Sequence, residues 1–312
     1  MEIQNPPKLA CLFWFYKSPE LCENRLRVLR RHNPDTPIYG LFGGDPLEAH
    51  LFQKRLAPWL NDFYVFSQER ASQWKWYHGD QMIMDWYRQR GHNLNWDTVF
   101  IAQWDMLVFD ALTNQFPMLK KDELLLSGLR PVSEVDPWWH YVRPNSPERD
   151  EYERFTAYVR ERHGFDGQPH CCEFIVACLP RSFMDRYSEI PKPELGFLEY
   201  KIPTYAKIFG TPLCINHPHQ PWWGDAPNAN AAPLLARVLN AENHYVPLRI
   251  IEAHRLWPWG RRIFHPVLNL YPLSQSERLA QLGSEVLQEE IKNRWYRWQQ
   301  RNDSRTINDS KQ

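Results

Sequence analysis

The segment Leu9–Tyr16, LACLFWFY, is an unbroken apolar run. It is too short to be a core helix, and it has no polar alternation to give a strand one wet face. A strand apolar at every position must be covered on both sides. The next residues supply the cover, because Pro19–His32 places Leu21, Leu26, Val28 and Leu29 near helical spacing, with a proline at the start. Pro37–Phe42 (PIYGLF) then reads as a second strand that ends in Gly43-Gly44-Asp45. A β-α-β opening of this kind predicts an α/β fold, a mostly parallel central sheet with helices on both faces.

The alternation continues. Leu47–Leu60 is helical in pattern and Asp62–Phe66 is a short strand. Gly79–Arg90 is a helix with Met82, Met84 and Tyr87 among its apolar positions, and Asp97–Gln103 is a fourth strand. Further on, Glu123–Leu129 is strand-like, Arg130–Asp150 is a Pro- and Trp-rich loop, and Glu151–His163 is an amphipathic helix. Phe174–Leu179 (FIVACL) reads as a buried strand followed by a helix from Arg181 to Ser188. A short helix is expected at Leu198–Phe209 despite Pro203, another at Ala231–Asn240, and a late strand at His244–Ile251. One domain over residues 1–272 is the expectation. After it, Ser274–Arg301 spaces Leu279, Leu282, Val286, Leu287, Ile291, Trp295 and Trp298 by mostly three or four residues, as amphipathic helices do, and residues 302–312 read as a disordered tail. That C-terminal helix is expected to dock on its own domain. Weak contact with a membrane surface is the alternative, which Glu285, Glu289 and Glu290 oppose.

Charge excludes some partners. Lys plus Arg number 37 and so do Asp plus Glu, so no net field draws the chain to nucleic acid. The polar N-terminus and the brevity of the first apolar run argue against a signal peptide, and no stretch approaches the roughly 20 apolar residues that span a bilayer. Six cysteines (Cys11, Cys22, Cys171, Cys172, Cys178, Cys214) follow no disulfide framework, so free thiols and a cytoplasmic location are expected. Neither G-x-G-x-x-G nor G-x₄-G-K-[ST] occurs, which removes the dehydrogenase and P-loop readings. A glycine-rich activating loop of the nucleotidyltransferase type is also absent near the N-terminus.

The fourth strand ends unusually. In Val99–Leu107, VFIAQWDML, an apolar run breaks into Gln103 and Asp105 before returning to apolar chain. Ligands of open parallel sheets bind beyond the carboxyl ends of the strands, so a carboxylate here stands at the rim of a cleft. Ala102–Val108, AQWDMLV, resembles the D-x-D segment of the GT-A class of glycosyltransferases, with Gln103 at the first Asp position and Asp105 at the second. The resemblance extends loosely over residues 9–270. It implies a single GT-A-like Rossmann-type domain, with a donor half about residues 8–110 and an acceptor half about 111–272.

The resemblance also implies a nucleotide-diphosphate sugar donor, a carbohydrate or other hydroxyl acceptor, a bridging Mn²⁺ or Mg²⁺ and no organic cofactor. Asp105 is then the main metal ligand, with His265 as a further ligand and His217 and His219 as rivals. Zinc lacks a supporting pattern, since Cys214, His217 and His219 match no known finger spacing. Asp45, Lys75, Asp80 and Gln103 are the candidate donor contacts. Asp45 would serve base or ribose and Lys75 phosphate, while Asp80 is equally well placed as a helix N-terminal charge. The base of an inverting transfer is expected at Glu199, in a segment resembling the E-D pattern of inverting family-two enzymes though Tyr200 follows it, with Glu173 as runner-up and a retaining mechanism open. The 15 tryptophans exceed what a core needs, and the paired indoles Trp138-Trp139 and Trp222-Trp223 are candidates for stacking an acceptor sugar. The rival to catalysis is a non-catalytic nucleotide-sugar or carbohydrate-binding protein on the same fold.

Overall fold

The computed structural model describes residues 6–220 and 246–309, with side chains to residue 295. Its centre is a six-stranded sheet built from β1 (Leu9–Phe15), β2 (Ile38–Phe42), β3 (Asp62–Val65), β4 (Thr98–Gln103), β6 (Leu125–Leu126) and β9 (Ala177–Pro180), in the order β3-β2-β1-β4-β9-β6. The pairs β3-β2, β2-β1 and β1-β4 are parallel, while β9 runs antiparallel to both of its neighbours. The fold is therefore α/β with a mostly parallel sheet, as the first apolar run demands.

Strand periodicity divides the core into two faces. Ala10, Leu12 and Trp14 of β1 pack with Val99 and Ile101 of β4 against α4 (Gly79–Gln89), α7 (Arg181–Tyr187) and α8 (Leu198–Phe209). Cys11, Phe13 and Phe15 pack with Phe100 and Ala102 against α1 (Pro19–His32) and α2 (Ala49–Leu56). All six cysteines are buried free thiols.

Several elements differ from expectation. A short α3 (Ser72–Tyr77) precedes α4, in a stretch whose aromatic residues conceal any helical period. The FIVACL run is not a strand from its start: Ser127 Oγ donates to Glu173 O (2.5 Å) and accepts from Val176 N (3.1 Å), so β9 begins only at Ala177. The 123–129 strand shrinks to β6, and within 130–150 lie β7 (Arg130–Pro131) and a short 3-10 turn at Val132–Glu134. Between β4 and α8 come also β5 (Leu107–Val108), α5 (Leu112–Gln115), α6 (Arg149–His163) and β8 (His170–Cys171).

A late strand is expected at 244–251; within the described part of that span, from residue 246, the chain enters the helix α9 (Leu248–Leu256) instead. A distant carboxylate decides this, because Glu285 accepts from Leu248 N (2.9 Å) and Arg249 N (3.1 Å) and so satisfies donors that a helix start leaves open. The helix expected at 231–240 lies outside the described residues. After β10 (Ile263–Phe264) comes α10 (Gln275–Asp309), a single helix that takes in most of the segment expected to be disordered. It docks through Leu282 and Glu285, while Leu279, Val286, Leu287, Ile291 and Trp295 are exposed. Among the described residues no helix is long and apolar enough to cross a membrane.

Candidate active site

The sheet order reverses between β1 and β4, and open α/β sheets bind ligands at such a switch point. A cleft of about 1250 Å³ opens there. Trp14, Tyr16 and Lys17 follow from β1, Gly43-Gly44-Asp45 from β2, and Gln103 and Trp104 from β4. The segment before and through α3 adds Arg70, Lys75 and Trp76. Phe174, Ile175, Phe197, Leu198, Glu199 and His265 close the opposite side.

On the β2 side the chain packs closely. A Cβ on Gly43 would lie 2.3 Å from Met82 Cε and 3.2 Å from Trp14 Nε1, so a side chain there would have to displace the end of Met82. Lys75 Nζ donates to the carbonyls of Gly43 (2.7 Å) and Gly44 (3.1 Å), pinning this turn. Burial lowers the Lys75 ammonium from its usual range, and Asp45 opposes the shift. Asp45 Oδ1 itself accepts from Leu47 N (2.9 Å), capping a short 3-10 turn at the cleft edge.

At the end of β4 the two polar residues have different surroundings. Gln103 lines the cleft, and its Nε2 donates to Phe174 O at 2.9 Å. Asp105 lies deeper, 9% exposed, with its Oδ1 at 3.4 Å from His265 Nε2. The antiparallel pairing of β10 with β5 brings His265 there, helped by Val267 N donating to Asp105 O (2.7 Å). Burial works to raise the Asp105 carboxyl, but the charges of His265 and Arg25 outweigh it and hold Asp105 below the usual carboxylate range.

Arg25 escapes a reading of the sequence alone. It is buried on α1, and its Nη2 donates to the carbonyls of Val267 (2.7 Å) and Asn269 (2.6 Å). Its neighbour Asn24 bonds both to Tyr271 O (2.7 Å) and to Tyr271 N (3.0 Å). Two adjacent helix residues thus clamp the segment that follows His265. The only sequence signal is a polar pair inside the apolar face formed by Leu21, Leu26 and Leu29.

Across the cleft, Glu199 stands in the first turn of α8, half-buried. Burial pushes its carboxyl up to about 7, against the pull of a hydrogen bond from Phe174 N to Oε1 (2.9 Å). A carboxyl poised there can take or give a proton near neutrality.

Other candidates lie elsewhere. Asp80 is in the core, not on the cleft wall: its Oδ2 meets Lys201 Nζ at 2.9 Å and accepts from Tyr187 Oη (2.7 Å) and Gln81 Nε2 (2.6 Å), with both charged side chains sealed from solvent. Glu173 is buried outside the cleft lining. His217 lines a separate cavity of about 410 Å³ with Phe116, Met118 and Cys214. Burial lowers His217 to about 4 and His219 to about 3, so both are neutral imidazoles. Trp139 is packed behind Phe197 and Tyr200, and Trp138, half exposed, does not line the cleft. Trp222 and Trp223 lie outside the described residues. Aromatic faces at the cleft come instead from Trp76, which packs on Phe197 (5.2 Å), and from Tyr16, edge-on to Trp104 (5.5 Å).

Neither a protein-family model nor a curated protein sequence matches the chain. Among solved structures, a cytidylyltransferase from Leptospira borgpetersenii serovar Hardjo-bovis aligns at 10% identity over 66% of this chain and 74% of its own, with a TM-score of 0.36. At that distance the α/β assignment rests on the chain's own sheet order.

Proposed function

We propose that the chain is a GT-A-like glycosyltransferase, moving a sugar from a nucleotide-diphosphate donor to a hydroxyl acceptor. The observation that carries this reading is Glu199, a carboxyl pushed up to about 7 on the wall of a switch-point cleft whose opposite wall is built from the ends of β1, β2 and β4. In the reaction Glu199 accepts the proton of the acceptor hydroxyl as its oxygen forms a bond to the anomeric carbon. The bond from that carbon to the diphosphate breaks, and its electron pair leaves with the diphosphate. Lys75, Lys17 and Arg70 border the cleft as cations that offset the charge on the leaving group. Trp76 and Tyr16 offer faces to base or sugar rings.

Asp105 and His265 fit a divalent cation. Their facing atoms are 3.4 Å apart, close to the roughly 3 Å that separates cis ligands when metal–oxygen bonds are about 2.1 Å. Asp105 Oδ1 is buried without a hydrogen bond, and the atom that faces it across the 3.4 Å gap is His265 Nε2. Among the described residues no third His, Cys, Asp or Glu joins the pair, so the remaining ligands of such an ion would have to come from substrate or water. Mn²⁺ or Mg²⁺ held there would supply Lewis-acid neutralisation of the diphosphate.

The test is nucleoside diphosphate release from a panel of UDP- and GDP-sugars with saccharide acceptors, with and without Mn²⁺. Glu199→Gln should lower turnover by about 10²–10⁴-fold while donor binding persists. Donor binding with no release from any acceptor would support a binding protein instead, and absence of donor binding would overturn both readings.

A further inference from the structure

The residue that departs from the D-x-D pattern has a specific partner. Gln103 Nε2 lies 2.9 Å from Phe174 O, and a carbonyl can only accept, so the amide must present its N–H₂ there. The N–H of the same residue, in the preceding peptide unit, donates to Glu199 Oε1 at 2.9 Å. One residue's backbone therefore joins the end of β4 to the cleft carboxylate on α8.

The rest of this strap is also fastened to α8. Pro203 has no N–H, so the carbonyl four residues earlier, that of Glu199, loses its intrahelical donor. Cys172 N fills the place, donating to Glu199 O at 2.8 Å. Thr204 Oγ1 exchanges bonds with the N and O of His170, both at 3.3 Å. Residues 170–174 thus run alongside the first half of α8, gripping Glu199 at its carbonyl and its carboxylate.

We propose that Gln103 is a positioning residue for Glu199, acting through the 172–174 strap, and that this is why the position carries an amide. An aspartate at 103 would be one methylene shorter and would set an acceptor against the Phe174 carbonyl. A glutamate would have the reach and still no donor. In either case two partial negative charges would face each other and push the strap away from Glu199. The inference deepens the proposed function, since it takes Glu199 as the group that meets the acceptor.

The test has one readout independent of turnover. In the full chain, backbone amide hydrogen exchange is followed at Phe174 and Cys172, and a ¹³C-carboxyl titration at Glu199 is assigned with Glu199→Gln. Gln103→Met and Gln103→Glu should each speed exchange at Phe174 N–H by at least about tenfold, as loss of one hydrogen bond worth about 1.4 kcal/mol would. Because the Phe174 N–H bond favours the ionised carboxylate, the Glu199 midpoint should move up. Pro203→Ala restores a competing helix donor for Glu199 O and should speed exchange at Cys172 N–H, a check that survives if a Gln103 variant fails to fold. In turnover assays the acid limb of kcat should shift upward with the titration.

Unchanged exchange at Phe174 in a folded Gln103→Met protein would overturn the proposal, as would unchanged exchange at Cys172 in Pro203→Ala. If wild type turns over no donor while these exchange rates respond, the glycosyltransfer reading fails and the coupling stands.

Discussion

Glu199 and Asp105 are carboxylates shifted in opposite directions by their surroundings. Folding binds the Glu199 proton more tightly than the unfolded chain does, since its carboxyl sits at about 7 instead of the ordinary value near 4.3. This contribution to stability is complete in acid below that ordinary value and is lost as pH rises through about 7. Glu199→Gln should therefore raise Tm at pH 8 by a few degrees and leave it unchanged near pH 4, as calorimetry at the two pH values would show. Asp105 is held low, so its contribution is present above the unfolded value and is lost as pH falls through the folded one. Asp105→Asn should lower Tm at pH 7, with the gap closing in acid. Both residues could be singled out in the sequence because each stands next to a strong local pattern, the end of an apolar strand or the start of a helix. Asn24 and Arg25 could not, since the carbonyls they serve are more than 240 positions away.

Among the elements, α8 is held by buried polar contacts as well as by packing. The sealed pair Lys201–Asp80 joins it to α4, and Lys201 Nζ also donates to Pro193 O (2.7 Å). Removing one member leaves a buried charge, so Lys201→Met or Asp80→Leu alone should cost about 3–5 kcal/mol in urea unfolding. The double variant Asp80→Leu/Lys201→Met should recover part of that loss. Elements whose cause is local were legible: β1, α1, β2 and β4 follow from apolar runs and helical spacing, and α8 from its composition in spite of Pro203. Elements whose cause is distant were not. α9 depends on a carboxylate from α10, and the late start of β9 depends on the Ser127 hydroxyl.

Across the whole molecule, the cleft draws one wall from the loops after β1, β2 and β4 and the other from residues 174–199, so a ligand filling it would tie the two together. A nucleoside diphosphate with Mn²⁺ at about 100 times its Kd should stabilise the chain by about 2.7 kcal/mol, a rise in Tm of roughly 5 °C. Lys75→Ala should reduce this rise, and absence of any rise across the nucleotide panel would count against the proposed function. The clamp on the segment after His265 has a further consequence, for synthesis. α1 is translated well before the carbonyls of Val267 and Asn269 that take up the Arg25 guanidinium, which follow 242 and 244 positions later. Until they emerge from the ribosome, the Arg25 guanidinium, although already near Asp105, lacks these two carbonyl acceptors. A chain cut before residue 267 should therefore hold α1 more loosely than the longer one, and limited proteolysis of the two would show it.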